Sequence, residues 1–258
     1  MAERRQGAEG ALALVGSGEY TDAMLEADEA LLATVGGARG ASVVLLPTAC
    51  GLEPDSPAYW NNLGLTHFRK LGVSDIRPTL ILDRASASDP QQIASLRDAS
   101  FYYFSGGDPR HVIESMRGTP AWEVIAEAQR AGAVLAGCSA GAMAMSGYTL
   151  PVRGLITGLA TGAPGDWTPA LATVPRVAVF PHFDRLPGAL SEPMMRRLSH
   201  AAPIGVALVG VDEDTALVRL DPPSETGGSW RVMGRQSVHV YRRDAMPLRL
   251  RAGEEVTL

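Results

Sequence analysis

The chain has 258 residues, of which 46% are hydrophobic, 20% charged and 6% aromatic, a balance that excludes disorder, collagen and coiled coil. Its 23 basic and 28 acidic residues leave a formal net charge of −5, with no basic run longer than a pair, which excludes the basic stripe of a nucleic-acid-binding surface. Two cysteines, Cys50 and Cys138, are too few for a disulfide framework or a zinc ribbon and fit a reducing cytoplasm.

Residues 1–9 read as a tail. Arg4 and Arg5 are followed by an apolar segment, Ala11–Val15, that is shorter than the roughly 7–15 residues a signal peptide needs, so it is read as a buried first strand. From there short apolar runs alternate with amphipathic ones, the pattern of βα units around a mostly parallel sheet. Tyr20–Leu32 reads as helix and Ala41–Leu46 as strand. Pro57–Leu71 is the next helix and Thr79–Leu82 the next strand. Asp89-Pro90 opens a helix with an N-cap and a proline at its first position, and Thr119-Pro120 opens another that ends at Gly132. Between them Phe101–Phe104 is a strand that runs into Ser105-Gly106-Gly107-Asp108-Pro109.

Ala131 to Val152 carries no charge and has the length of a membrane span, about 20 residues. Gly132, Gly137, Gly141, Gly147 and Pro151 break it too often for one lipid-facing helix. They suit a buried strand, a sharp turn and a buried helix. At the turn stands Gly137-Cys138-Ser139-Ala140-Gly141, a G-x-S-x-G pattern in which flanking glycines relieve the crowding of a strained strand-to-helix elbow. Ser139 then stands exposed above the sheet, and the Ala140 N–H at the start of the helix is free to meet a developing oxyanion. Cys138, one residue earlier, points down and reads as a small buried hydrophobe.

A serine nucleophile needs a base. Among five histidines, His67, His200 and His239 read as surface or structural, and His111 as a first-turn helix residue. His182 differs, because it follows the strand Val177–Phe180 at the edge where α/β sheets carry ligands. Val206–Val211 is a further strand. Trp230–Tyr241 alternates about Gly234 and reads as an antiparallel hairpin over residues 228–258, whose edge either faces solvent or pairs with another subunit in a homodimer. The whole chain reads as one α/β domain, a three-layer sandwich.

Ser105-Gly-Gly-Asp108, Gly137-Cys-Ser-Ala-Gly-Ala142, Pro181-His-Phe183 and Gly210-Val-Asp-Glu213 stand in the order and spacing of the peptidase S51 family, which includes peptidase E and cyanophycinase. The chain resembles that family over nearly its full length. The resemblance implies a fold like that of class I glutamine amidotransferases, Ser139 as nucleophile, His182 as general base, and Gly107 and Ala140 as oxyanion donors. It implies hydrolysis of a small peptide or amide, with no cofactor, metal, nucleic acid or membrane. Family members carry an acid between serine and histidine to orient the imidazole. Here Asp166 is the only acidic residue from Ala140 to Pro181, and it reads equally as that acid or as a helix N-cap. Glu19 and Asp184 are the fallback orienters, and Glu213 is taken as structural. Pro181-His182-Phe183 is similar to the peptidase E branch, whose grip on a substrate aspartate would fall to Arg185. Cyanophycinases carry Asp-Gln before the histidine, contacts suited to an arginine-bearing substrate, where this chain has Phe180-Pro181.

Overall fold

The parity of residues along each strand sorts this chain into layers. The computed structural model describes residues 8–150, 167–186, 192–224 and 227–258. Strands β1 (Leu12–Val15), β2 (Ser42–Leu46), β3 (Asp75–Pro78), β4 (Phe101–Phe104) and β5 (Val134–Cys138) lie parallel in the order β1-β5-β4-β2-β3. Alternate residues feed two cores. Leu12, Leu14, Val44, Leu46, Tyr102, Phe104 and Leu135 face one way, while Ala13, Val15, Val43, Leu45, Phe101, Tyr103 and Ala136 face the other. The second face is covered by α1 (Leu25–Thr34) and α2 (Ser56–Lys70) through residues such as Leu31 and Phe68. The first takes α3 (Pro90–Leu96), α4 (Pro109–Met116), α5 (Pro120–Arg130) and α6 (Ala140–Met145), through Leu96, Val112, Ile125 and Ala144.

Proline and side-chain caps start three of these helices. Asp89 accepts the Gln91 N–H at 2.7 Å, Asp108 accepts from Arg110 and His111, and Thr119 accepts from Trp122. Two boundaries differ from the sequence reading. The chain from Tyr20 bends through a short 3₁₀ turn at Asp22–Met24 before α1 begins at Leu25. The strand expected at Thr79–Leu82 runs instead over Asp75–Pro78. As the sheet's edge it is half-exposed and polar, so it lacks the apolar signature, and Thr79 ends the ladder by donating both its N–H and its Oγ1 to Leu45 O.

Beyond α6, β6 (Tyr148–Thr149) and β7 (Thr168–Pro169) form a two-stranded ribbon. A separate four-stranded sheet follows, in the order β13-β12-β9-β8, from β8 (Val177–Phe180), β9 (Ala207–Val211), β12 (Ser237–Tyr241) and β13 (Leu248–Arg251). One of its faces joins the first core. The other packs on α7 (Glu192–Ala201) through Phe180, Leu208, Met195 and Leu198. The antiparallel strands β10 (Thr215–Arg219), β11 (Ser229–Gly234) and β14 (Glu255–Thr257) extend the central sheet on the β1 side.

The hairpin expected about Gly234 is therefore not a hairpin. β11 pairs with β10 and β14, whereas β12 pairs with β9 and β13, so Arg235-Gln236 carries the chain from one sheet to the other. The alternating pattern reported strands with one wetter face but held no information on which strand each would join. Within residues 228–258 the hairpin that does form is β12–β13. Glu9, read as part of a tail, is anchored: its Oε2 accepts from Arg219 Nη2 at 3.0 Å. The uncharged stretch from Ala131 becomes β5 and the short α6. Among the described residues no helix is long and apolar enough to cross a membrane.

Candidate active site

β5 lies between β1 and β4, and it delivers its last residues to the carboxyl edge of the sheet. There the chain turns at Ser139 with φ 48° and ψ −108°, a left-handed conformation that costs of order 1–3 kcal/mol for a non-glycine residue. The neighbours hold it in place. Ser139 N–H donates to Val15 O at 2.9 Å. A Cβ at Gly137 would stand 2.6 Å from Gly141 C, and one at Gly141 would stand 2.7 Å from Phe104 O, so both positions demand glycine. The following helix is thereby pressed onto the strand.

Cys138 points into the sheet and is fully buried. It is more than a hydrophobe, since its Sγ–H donates to Glu19 Oε2 at 2.8 Å. Burial, followed by the Glu19 charge, pushes the thiol well above its ordinary pKa, which keeps it a protonated donor and a poor nucleophile.

The loop after β4 supplies the neighbouring wall. Ser105 N–H donates to Leu46 O, Gly106 N–H to Glu19 Oε1 at 2.9 Å, and Asp108 N–H to Ala49 O at 2.8 Å. Of the four N–H groups from Ser105 to Asp108, only that of Gly107 has no acceptor among the described residues. Gly107 has φ 143°, and a Cβ there would meet Ala49 O at 2.4 Å, so glycine is required.

His182 comes from the second sheet, just past β8, in a left-handed conformation with φ 49°. Its Nε2 lies 3.0 Å from Ser139 Oγ, and its Nδ1 lies 2.9 Å from Glu213 Oε1. Glu213, taken as structural from the sequence, is therefore the carboxylate at the imidazole. The signal that points to it is strand pairing: β8 and β9 run parallel with Phe180 beside Gly210, so the residues two and three positions further on leave the sheet together. The hydrogen bond from His182, reinforced by Arg185, holds the Glu213 carboxyl below the usual carboxylate range.

Asp184 does not orient the ring. Its Oδ1 accepts the Glu213 N–H at 2.8 Å and so fixes the backbone of the acid that does. Glu19, the other fallback, sits behind Gly106. Asp166 lies outside the described residues. Arg185 donates Nε to Glu213 Oε2 at 3.1 Å, and its side chain is 72% exposed.

The remaining histidines have other partners. His67 forms a buried pair with Asp28 at 2.7 Å, and burial raises the Asp28 pKa against the pull of that bond. His111 bonds Leu82 O, while His200 lies 3.8 Å from Asp244. His239 stands 3.6 Å from Asp212 and packs on the Phe183 ring. No group of three or more His, Cys, Asp or Glu side chains arranged to hold a metal occurs among the described residues. A serine hydroxyl, an imidazole and a carboxylate in line, beside a free backbone N–H, constitute the equipment of nucleophilic acyl transfer.

The sequence model of peptidase family S51 matches residues 12–222. A cyanophycinase from Trichormus variabilis is 28% identical over 213 residues, covering 79% of this chain and 64% of that protein. One from Thermosynechococcus vestitus is 31% identical over 219 residues, covering 79% and 59%. The chain thus spans less than two thirds of the length of these relatives. The crystal structure of a peptidase from an acI-B1 Actinobacterium is 31% identical, covers 98% of this chain and 99% of its own, and superposes with a TM-score of 0.81. A putative peptidase E protein from Listeria monocytogenes EGD-e, 19% identical, shares the fold with a TM-score of 0.54 over 91% of this chain and 99% of its own.

Proposed function

The chain belongs to peptidase family S51, and from that premise we propose that it is a serine peptidase that cleaves a small peptide or amide through an acyl-enzyme on Ser139. The observation that carries this reading is the hydrogen-bonded line from Ser139 Oγ to His182 Nε2 at 3.0 Å and from His182 Nδ1 to Glu213 Oε1 at 2.9 Å. His182 takes the hydroxyl proton as Oγ attacks the carbonyl carbon. Glu213 keeps the proton on Nδ1, leaves Nε2 as the acceptor and stabilises the imidazolium that forms. The tetrahedral oxygen is held by the N–H groups of Gly107 and Ala140. His182 then returns its proton to the leaving amine, and the acyl-enzyme is released by water activated in the same way.

For the substrate, an aspartyl dipeptide held by Arg185 is one reading. A specific observation favours a second. Arg185 is already compensated by Glu213 at 3.1 Å and Asp184 at 3.5 Å, so among the described residues this cluster beside His182 sets two carboxylates against one guanidinium. That rim suits a cationic substrate group such as an arginine side chain, although the chain has Phe180-Pro181 where cyanophycinases carry Asp-Gln. A non-catalytic domain with the same fold would need no acid at the imidazole, and the Glu213 carboxylate at His182 Nδ1 supports the catalytic reading over it. An esterase of the α/β-hydrolase kind would instead pair an acid such as Asp214 with His239 after the elbow, but Asp214 pairs with Arg235 at 3.3 Å and His239 stands 3.6 Å from Asp212.

A fluorophosphonate probe tests the nucleophile: labelling is expected in the wild type and lost in Ser139→Ala, and labelling that persists in the variant sinks the assignment. A panel of Asp-X, Glu-X, isoaspartyl and β-aspartyl-arginine dipeptides separates the two substrate readings. Preference for the arginine-bearing member supports the second.

A further inference from the structure

Glu19 takes no part in the proton transfers above, yet the fold goes to some length to place it. The residues on either side are both left-handed, Gly18 with φ 80° and Tyr20 with φ 64°, and the latter is strained for a residue with a side chain. The result is a carboxylate that is only 6% exposed behind the elbow. Both oxygens are used, Oε1 by Gly106 N–H at 2.9 Å and Oε2 by Cys138 Sγ–H at 2.8 Å. Both donors are neutral. Burying a carboxylate on neutral donors is costly compared with a hydrophobic residue of the same size, so its stabilising value to the fold does not explain it.

Its location does. Gly106 lies between Glu19 and the nucleophile: a Cβ built on Gly106 would be 3.1 Å from Glu19 Oε1 and 3.5 Å from Ser139 Cβ. With Ser105 and Asp108 bonded to Leu46 and Ala49, the Glu19 bond fastens the last amide that could otherwise turn toward the site. Of this loop's N–H groups, that of Gly107 alone is then left without an acceptor among the described residues.

We propose that Glu19 is a positioning residue of the oxyanion hole, which clamps the Gly106 amide so that the Gly107 N–H is pre-aimed over Ser139, and that Cys138 serves as the latch that fixes the carboxylate's rotation. This rests on Ser139 being the nucleophile. A donor that must be re-aimed during the reaction loses the advantage of preorganisation, so the effect falls on the transition state rather than on substrate binding.

The test is the second-order rate of fluorophosphonate labelling, measured across pH on the full chain with thermal melting as a control of folding. Glu19→Met, which keeps the bulk and removes both acceptors, is expected to slow labelling by roughly 10²–10³-fold, the range for loss of one oxyanion donor. Glu19→Gln keeps an acceptor for Gly106 and is expected to recover most of that loss. The midpoint of the pH profile stays at the wild-type value in both, because His182 and Glu213 are untouched. A shifted midpoint would show Glu19 acting through the charge of His182, and would overturn the proposal. Labelling of Glu19→Met at the wild-type rate overturns it too, while leaving the Ser139 reading intact. A wild-type chain that takes no probe overturns both. If Glu19→Met does not fold, Cys138→Ala decides: a several-fold slower rate, restored by Cys138→Ser, supports the latch, and an unchanged rate refutes it.

Discussion

The two halves of the site are built in opposite ways. The Ser139 half is made of backbone packed against backbone, with Gly137, Gly141 and Gly107 each occupying a position where a Cβ would stand less than 3 Å from main-chain atoms. The His182 half is made of side chains on a surface, with the His182 side chain 41% exposed, Glu213 28% and Arg185 72%. The first half sustains its strained φ through close packing. The second holds its geometry through a short relay of hydrogen bonds, from Asp184 to the Glu213 backbone and from Glu213 to the ring. It follows that a Cβ added to the glycine packing of the first half should appear in folding, and loss of a carboxylate from the second in chemistry.

The sharpest break of the pair is Glu213→Gln. Removing the carboxylate that orients the imidazole cost about 10⁴ in kcat in the Ser-His-Asp template, and a loss of the same order in labelling rate or kcat is expected here with an almost unchanged melting temperature. A loss below about tenfold would remove Glu213 from the machinery. On the other side, Gly141→Ala drives a methyl to 2.7 Å from Phe104 O and 2.8 Å from Phe104 Cβ. Overpacking of this kind costs typically 1–3 kcal/mol, or a fall in melting temperature of roughly 2–4 °C per kcal/mol in a chain of this size. Scanning calorimetry reads it directly, and an unaltered melting temperature would show that the elbow has slack.

The smallest expected effect concerns pH. The carboxyl of Glu213 is held below its ordinary value by His182 and Arg185, so the stability it contributes is fully present above the ordinary carboxylate range. It is lost as pH falls through the lowered folded value. Melting curves of wild type and Glu213→Gln should therefore differ less at strongly acid pH than at neutrality. Because the pair is partly solvated, the difference is expected to be small and to shrink further with added salt.

Much of the Ser139 half is legible in the amino-acid sequence alone. A small-residue strand, a G-x-S-x-G turn and a small-residue helix are contiguous in the chain, and the reasons for their glycines are local. The helix starts at Asp89, Asp108 and Thr119 are legible for the same reason, since a cap reaches only two or three residues along. Glu213 is not. Sequence order directs attention to the acids between Ser139 and His182, whereas the acid at the ring arrives from the next parallel strand, thirty-one residues past the histidine. Glu19 stands out in the sequence as an acid near the site, but only tertiary packing reveals that its partners are an amide and a thiol rather than the imidazole.

The alternation from Trp230 to Tyr241 makes the same point in the fold. Period-two patterning determined that two strands lie there, because each must present alternate residues to a core. It could not determine that they part company at Arg235 to join different sheets, since pairing partners are chosen by surfaces remote in sequence. By itself, then, the sequence determined the elbow, the layers and the family, all of which rest on contiguous residues. Which carboxylate meets His182, which amide Glu19 holds and which sheet each late strand enters were decided by the tertiary structure, because each depends on groups far apart in sequence that meet only in the folded chain.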